Sequence, residues 1–187
     1  MILVDVRARD TQSLHVRARS REVGGLAAGR VRTGGRVVAD QIVAAVDFLC
    51  LGTNDLAQYL LAADRDNEAV SRWFQTLHPA MLRAVRRVVE VCRAAGKPLI
   101  VCGEMAGSPF YAPVLIGLGA TELSMNPGSI EAVRRVIGGI AFEEAAELVQ
   151  KLETMSTAEE IEDAVSVIAR KAWPHLFADG FLDNRNS

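Results

Sequence analysis

A short apolar run, closed by a glycine and followed at once by polar side chains, is the strongest structural signal in this chain. Residues 46–51 read VDFLCL, and Gly52 follows them. Such a run is typical of a buried parallel strand that opens into a loop, at the end where α/β folds place their ligand chemistry. Asn54 and Asp55 come next, and Arg65 lies ten residues after Asp55. Asp is a hard oxygen ligand for a divalent cation, while Asn and Arg donate to the oxygens of an anion. The pattern predicts an anionic substrate held through a metal.

Two further strand-like runs, residues 98–102 and 122–125, follow along the chain. Apolar residues at helical spacing, together with helix start and stop signals, predict helices after the strands. These helices cover residues 78–95, 109–118, 130–137, 142–152 and 157–171. Thr157 and Glu160 form a plausible capping box for the last of them. The alternation of strand and helix indicates an α/β fold with a parallel sheet and right-handed crossovers.

The first 45 residues differ in composition from the rest. Their eight arginines and four acidic residues give them a charge of +4, and since the whole chain carries −2, the other 142 residues carry −6. They contain two glycine pairs, and we find no sustained apolar period of 2 or 3.6 residues in them. Three interpretations are open: a basic arm for nucleic acid, irregular native structure, or a segment that adds little to a native fold. The third interpretation is favoured: the segment could be disordered, or it could be the product of a shifted reading frame. A shifted frame would explain the composition, because GC-rich DNA that is translated out of frame yields arginine and glycine.

Charge and cysteine content exclude several classes of protein. A net charge of −2 gives no reason to expect nucleic acid or an acidic membrane surface as a partner. No apolar run approaches the ~18 residues that span a bilayer, and the N-terminus lacks a signal peptide's apolar core. Cys50, Cys92 and Cys102 are few, odd in number and not spaced as metal ligands. We therefore expect a reduced, cytoplasmic protein.

A second chemical feature lies at the end of the second strand-like run. Cys102 and Glu104 flank Gly103, so a thiol and a carboxylate stand where a strand again meets a glycine-containing loop. The thiol could donate a proton to a carbanion-like carbon, or it could pack as a small apolar group. Spacing alone favours packing. Cys50, inside a strand, and Cys92, on the apolar face of a helix, are expected in the core.

Three sequence blocks resemble the signature of the phosphoenolpyruvate-utilising enzymes. In order, they are residues 47–65 (DFLCLGTNDLAQYLLAADR), 102–107 (CGEMAG) and 122–125 (ELSM). Within that family they are most similar to enzyme I of the phosphotransferase system, the phosphoenolpyruvate–protein phosphotransferases. Residues 77–83 (LHPAMLR) and Met105 resemble the nitrogen-related type. The resemblance runs from about Val46 to about Glu160.

The resemblance implies a fold and a set of site residues. The family's catalytic domain is a TIM-type (β/α)₈ barrel that binds phosphoenolpyruvate and Mg²⁺ at the carboxyl ends of its strands. The matched segment resembles the last three βα units of that barrel. By this resemblance Asp55 is a Mg²⁺ ligand, and Asn54 accompanies it in holding the phosphate. Arg65 contacts the same phosphate, and Cys102 protonates the enolate of pyruvate at carbon 3, which reverses the preference for packing.

The resemblance also implies a reaction and its partners. The reaction is Mg²⁺-dependent phosphoryl transfer from phosphoenolpyruvate to a histidine, with release of pyruvate. The expected partners are a histidine phosphocarrier protein and a second copy of the chain in a homodimer. Two alternatives are a related enzyme similar to pyruvate phosphate dikinase or phosphoenolpyruvate synthase, and a truncated, non-catalytic remnant that only dimerises or regulates.

Parts of the family's machinery have no counterpart in this sequence. These parts are the glutamate that is the second Mg²⁺ ligand, two arginines that clamp the substrate, and the histidine of a separate domain. We therefore divide the chain into an atypical segment over residues 1–45, a partial phosphoenolpyruvate-binding barrel domain over residues 46–175, and a tail over residues 176–187. Three βα units alone would expose two sheet edges and leave inward-facing apolar side chains uncovered.

Overall fold

The structure is a computed structural model that describes residues 2–10, 13–20, 28–31 and 39–177. Its strands are β1 (Ile2–Asp10), β2 (Ser13–Ser20), β3 (Ala28–Val31), β4 (Phe48–Gly52), β5 (Leu99–Cys102) and β6 (Glu122–Met125). Its helices are α1 (Ala39–Ala44), α2 (Thr53–Leu61), α3 (Pro79–Ala94), α4 (Glu104–Gly107), α5 (Ala112–Gly117), α6 (Ile130–Gly138), α7 (Phe142–Leu152) and α8 (Ala158–Ala172). Two short 3₁₀ turns, Ser71–Trp73 and Pro127–Ser129, lie in the connections.

The strands form one sheet in the order β2-β1-β6-β5-β4-β3. β3, β4, β5 and β6 run parallel, whereas β1 runs antiparallel to both β6 and β2. The α/β class and the three strands expected from the sequence, here β4, β5 and β6, are confirmed. Because these parallel strands are neighbours, their carboxyl ends meet at one edge. Gly52 lies opposite Cys102 in the register, and Cys102 lies opposite Ser124.

The described part of the first 45 residues is paired with this sheet. β1 extends the sheet beyond β6, with Ile2 opposite Met125, and β3 extends it beyond β4, with Ala28 opposite Phe48. The two edges that β4 to β6 alone would expose are paired with β1 and β3, and β2 and β3 are the outermost strands of the sheet. The interpretation of residues 1–45 as a segment that adds little to a native fold stays a prediction. The origin of the segment, native or frame-shifted, stays a prediction.

Local signals in the sequence determine where α3 and α8 begin. His78 caps α3, since its Nδ1 accepts a hydrogen bond from the backbone N–H of Ala80 at 3.1 Å. The predicted capping box of α8 is confirmed: Thr157 Oγ1 accepts from the Glu160 N–H at 3.2 Å, and Glu160 Oε2 accepts from the Thr157 N–H at 3.1 Å. Backbone N–H groups of Ser156 and Thr157 lower the pKa of Glu160. Both helices thus begin where their capping residues indicate.

The core lies mainly on one face of the parallel strands. Leu49, Leu51, Val101 and Leu123 are fully buried there, together with the apolar faces of the helices. Alternate residues point to the opposite face, where Phe48 forms a second buried cluster with Ile100 and the half-buried Cys50. Phe48 and Ile100 are thus buried on this second face.

The chain after α8 packs back onto the core. Trp173 is 2% exposed, and its indole N–H donates to Oε2 of Glu144 on α7 at 2.9 Å. Leu176 and Phe177 are buried beside it, so the packed part of the chain continues beyond α8. Among the described residues, no helix combines the length and the apolar character needed to cross a bilayer.

Candidate functional site

The first turn of α2 follows β4 without an intervening loop. The sequence predicted a loop after Gly52, but helix α2 begins at Thr53, with Gly52 in extended backbone geometry as its N-cap residue. Asn54 and Asp55 therefore sit in the first helical turn, half-buried at the carboxyl edge of the sheet. The N-terminal end of a helix favours anions because its backbone N–H groups point outward along the axis.

Two hydrogen bonds join this turn to the end of β5. Thr53, a buried residue, donates from Oγ1 to the carbonyl oxygen of Cys102 at 3.0 Å. The backbone N–H of Glu104 donates to Oδ1 of Asn54 at 3.0 Å. Because Oδ1 is occupied in this way, the orientation of the Asn54 amide is fixed and its NH₂ donors lie on the other side of the group. The first turn of α2 and the end of β5 are thus held together by these two hydrogen bonds, and we call this pair of contacts the junction.

The junction is possible because residue 103 is a glycine. Gly103 has a φ of +109° and a ψ of −175°, a conformation that is essentially restricted to glycine. A Cβ atom there would lie 2.5 Å from Thr53 Oγ1 and 2.9 Å from Asn54 Oδ1. Any side chain at this position would therefore push against both hydrogen-bonding groups of the junction.

Arg65 reaches the same junction from the loop after α2. Asp64 shapes this loop, since its Oδ1 accepts a hydrogen bond from the Asp66 N–H at 3.0 Å. Arg65 forms an ion pair through Nη1 with Oε1 of Glu104, and its Nε lies 3.6 Å from Oδ1 of Asp66. The Arg65 side chain is 42% exposed and the Glu104 side chain 68% exposed. Glu104 therefore connects Arg65 to the turn that carries Asn54.

The structure places the four predicted site residues as follows. Asn54, Cys102 and Arg65 are connected through the junction, and Asp55 is on the same helical turn as Asn54. Sequence reasoning missed the linking residues. Thr53 stands inside the first block, and the sequence assigns no role to the Glu104 carboxylate. Only the pairing of β4 with β5 brings the two residues together.

Comparison with known proteins supports one family. Residues 35–142 match the family described as PEP-utilising enzyme, PEP-binding domain. The chain belongs to this family. The match covers more than half of the chain and begins inside the first 45 residues, earlier than the resemblance near Val46 indicated.

Several curated relatives of this chain carry the name phosphoenolpyruvate-protein phosphotransferase. The protein of Staphylococcus epidermidis is 45% identical over 133 residues, which are 71% of this chain and 23% of the relative. The protein of Bacillus subtilis is 46% identical over 125 residues, 67% of this chain and 22% of the relative. The protein of Geobacillus stearothermophilus is 44% identical over 125 residues, with the same coverage. The chain thus spans less than a quarter of the length of these relatives.

The donor set at this edge of the sheet suits a cation that binds together with a phosphate-bearing ligand. In the described part of the chain, no three His, Cys, Asp or Glu side chains converge as metal ligands. Asp55 supplies one carboxylate beside the Asn54 amide. Mg²⁺ is commonly held by one or two carboxylates together with substrate phosphates, so one carboxylate at this edge fits that mode of binding.

The three cysteines of the chain are free of disulfides and differ in exposure. Cys92 is 2% exposed, and burial raises the pKa of its thiol to about 11. The prediction that Cys92 lies in the core is confirmed, whereas Cys50 and Cys102 are half-buried. Because the thiolate is the reacting species, burial and the raised pKa both protect Cys92.

We expect iodoacetamide at neutral pH to alkylate Cys102 and Cys50 in the folded chain well before Cys92. Mass spectrometry of proteolytic peptides, quenched at increasing times, measures the three rates. The same reaction in denaturant is the control, and there all three cysteines should react at similar rates. A native chain in which Cys92 reacts as fast as Cys102 would contradict the buried position of Cys92.

Proposed function

We propose that this chain is the phosphoenolpyruvate-binding part of a phosphoenolpyruvate–protein phosphotransferase. The observation that carries the proposal is the hydrogen-bonded junction between the turn of Asn54 and Asp55 and the end of β5 at Cys102. It gathers a carboxylate, amide donors, a guanidinium and a thiol at the carboxyl edge of a parallel sheet, where α/β folds bind ligands. Relatives at 44 to 46% identity carry this name. In the whole protein, these βα units would belong to a TIM-type barrel.

Each residue has a role that its chemistry supports. The Asn54 NH₂ group and the Arg65 guanidinium donate to phosphate oxygens, and the N-terminus of α2 favours the same negative charge. Asp55 would hold Mg²⁺, which when bound would neutralise the charge that moves in phosphoryl transfer. The phosphoryl group leaves toward a histidine of another domain or protein. Cys102, half-buried at the end of β5, would give its thiol proton to carbon 3 of the pyruvate enolate.

The proposal also includes the phosphoryl acceptor, the oligomeric state and the compartment of the protein. The phosphoryl group would pass on to a histidine phosphocarrier protein, and the barrel would form a homodimer, in a protein of the nitrogen-related type. Three reduced cysteines fit the cytoplasm as the compartment. The names of the relatives favour this enzyme over a pyruvate phosphate dikinase-like or phosphoenolpyruvate synthase-like one. The remaining alternative is a non-catalytic remnant, and measuring phosphoenolpyruvate binding distinguishes it from the proposed enzyme.

The decisive experiment is calorimetric titration of phosphoenolpyruvate into the chain, with and without Mg²⁺. We expect saturable binding that needs Mg²⁺. Asp55→Asn keeps the shape of the side chain and removes its charge, so we expect at least about tenfold weaker binding, equivalent to about 1.4 kcal/mol. The affinity of that variant should also lose its dependence on Mg²⁺.

Asp163→Asn is the matched control because it makes the same change at an exposed position of α8. Its affinity should equal that of the unmodified chain. A folded chain without measurable phosphoenolpyruvate binding would support the remnant. Binding that Asp55→Asn and Asp163→Asn leave equally intact would remove Asp55 from the site.

A further inference from the structure

Glu104 competes with any anion for the guanidinium of Arg65. The two side chains form an ion pair, and Asp66 lies 3.6 Å from Arg65 Nε on another part of the same guanidinium. Arginine has five N–H donors in a planar fork, and a phosphate is best held by two of them in parallel. The Arg65 guanidinium, which the proposed function assigns to the substrate phosphate, is therefore already paired with the carboxylate of Glu104.

The backbone and the side chain of Glu104 make separate contacts. Its backbone N–H supports Asn54, whereas its carboxylate reaches Arg65. A substitution of the side chain therefore leaves the bond to Asn54 in place. The carboxylate can move, since 68% of the Glu104 side chain is exposed and its oxygens bond only to Arg65 among the described residues.

We propose that Glu104 is a positioning residue that holds Arg65 at the site and releases it only to a phosphate. This inference rests on the proposed function. An exposed ion pair is weak enough for a bound ligand to displace. A phosphate group, with ≈ −1.5 to −2 charges and three acceptor oxygens, outcompetes a tethered single carboxylate. Pyruvate has no phosphate to place at Arg65, so its binding should not depend on the ion pair.

The test compares Glu104→Gln with the unmodified chain, using phosphoenolpyruvate, inorganic phosphate and pyruvate as separate probes with Mg²⁺ present. Glutamine keeps the size of the side chain and removes the competing charge. We expect about two- to fivefold tighter binding of phosphoenolpyruvate and of inorganic phosphate, and unchanged binding of pyruvate. Glu90→Gln, the same change at an exposed position of α3, should leave all three affinities unaltered.

A double-mutant cycle shows whether the effect passes through Arg65. In an Arg65→Gln background, Glu104→Gln should give no further gain, because the group that it releases is absent. An equal gain in both backgrounds, or an equal gain for pyruvate, would reflect a general change of charge and would overturn the proposal. Equal or weaker phosphate binding by Glu104→Gln would overturn it as well.

Failure of the proposed function gives a different result. If no variant binds phosphoenolpyruvate, that function fails, and inorganic phosphate alone then tests the competition at Arg65. Tighter phosphate binding by Glu104→Gln than by the unmodified chain would still support the role of Glu104. The absence of measurable phosphate binding by both would overturn it.

Discussion

Gly103→Ala is expected to lower the free energy of unfolding by about 4 kcal/mol and to weaken phosphoenolpyruvate binding at least about tenfold. The backbone conformation alone, at φ +109°, costs a residue with a Cβ about 1–3 kcal/mol. The new methyl group would then lie 2.5 Å from Thr53 Oγ1 and 2.9 Å from Asn54 Oδ1. Both atoms must move, so both hydrogen bonds of the junction weaken, each worth about 0.5–1.5 kcal/mol.

We expect the loss of affinity because the junction orients the amide of Asn54, which the proposed function assigns to the substrate phosphate. If Asn54 Oδ1 is pushed away from the Glu104 N–H, the side-chain amide of Asn54 no longer has a fixed orientation. The first turn of α2 then also separates from the end of β5. Chemical denaturation measures the first effect, and calorimetric titration with Mg²⁺ measures the second.

Gly96→Ala is the matched control, since Gly96 also has a positive φ, at +63°, but a methyl group there would meet no atom within 4 Å. It should cost only about 1 kcal/mol and leave affinity unchanged. Similar losses in both variants would show that backbone strain, and not the contact with the junction, determines the result.

Much of the fold could be predicted because its signals are local. β4 and β5 are short apolar runs that end at or next to a glycine, and runs of this length bounded by glycine are typical of buried strands. α3 and α8 begin at capping residues whose hydrogen bonds span three positions or fewer along the chain. These elements were therefore found with boundaries within one or two residues of the structure.

The strands of the first 45 residues were missed although a signal exists. Apolar residues alternate with charged ones from Val4 to Arg9, and a similar alternation follows in β2. The register places Val6 of β1 opposite Val16 of β2. The arginine and glycine content of the segment is not typical of strands, whereas this period of 2 is their ordinary signature.

The site shows where prediction from sequence stops. The blocks with Asn54, Asp55 and Cys102 could be recognised from their order along the chain. The ion pair of Arg65 with Glu104 joins residues 39 positions apart and depends on the pairing of β4 with β5. Which of several nearby carboxylates an arginine meets is decided by tertiary geometry, and no spacing rule contains that information.

Gly117→Ala is expected to lower the free energy of unfolding by about 3 kcal/mol, because α5 and α7 cross in contact at this residue. A methyl group there would lie 2.1 Å from the carbonyl oxygen of Ala145 and 2.6 Å from Cγ2 of Val149. A side chain could turn away, but a helix carbonyl cannot, so the two helices would have to separate. In thermal denaturation the midpoint should fall by about 6–12 °C.

Gly138→Ala separates this contact from the general effect of alanine in a helix. Gly138 ends α6, and a methyl group there would meet no atom within 4 Å. Its stability should stay the same or rise by up to about 1 kcal/mol, because alanine favours the helix over glycine. Equal midpoints for the two variants would mean that α5 and α7 are not in close contact at Gly117. A lower midpoint with phosphoenolpyruvate affinity preserved at low temperature would show that this helix contact supports the fold without shaping the site.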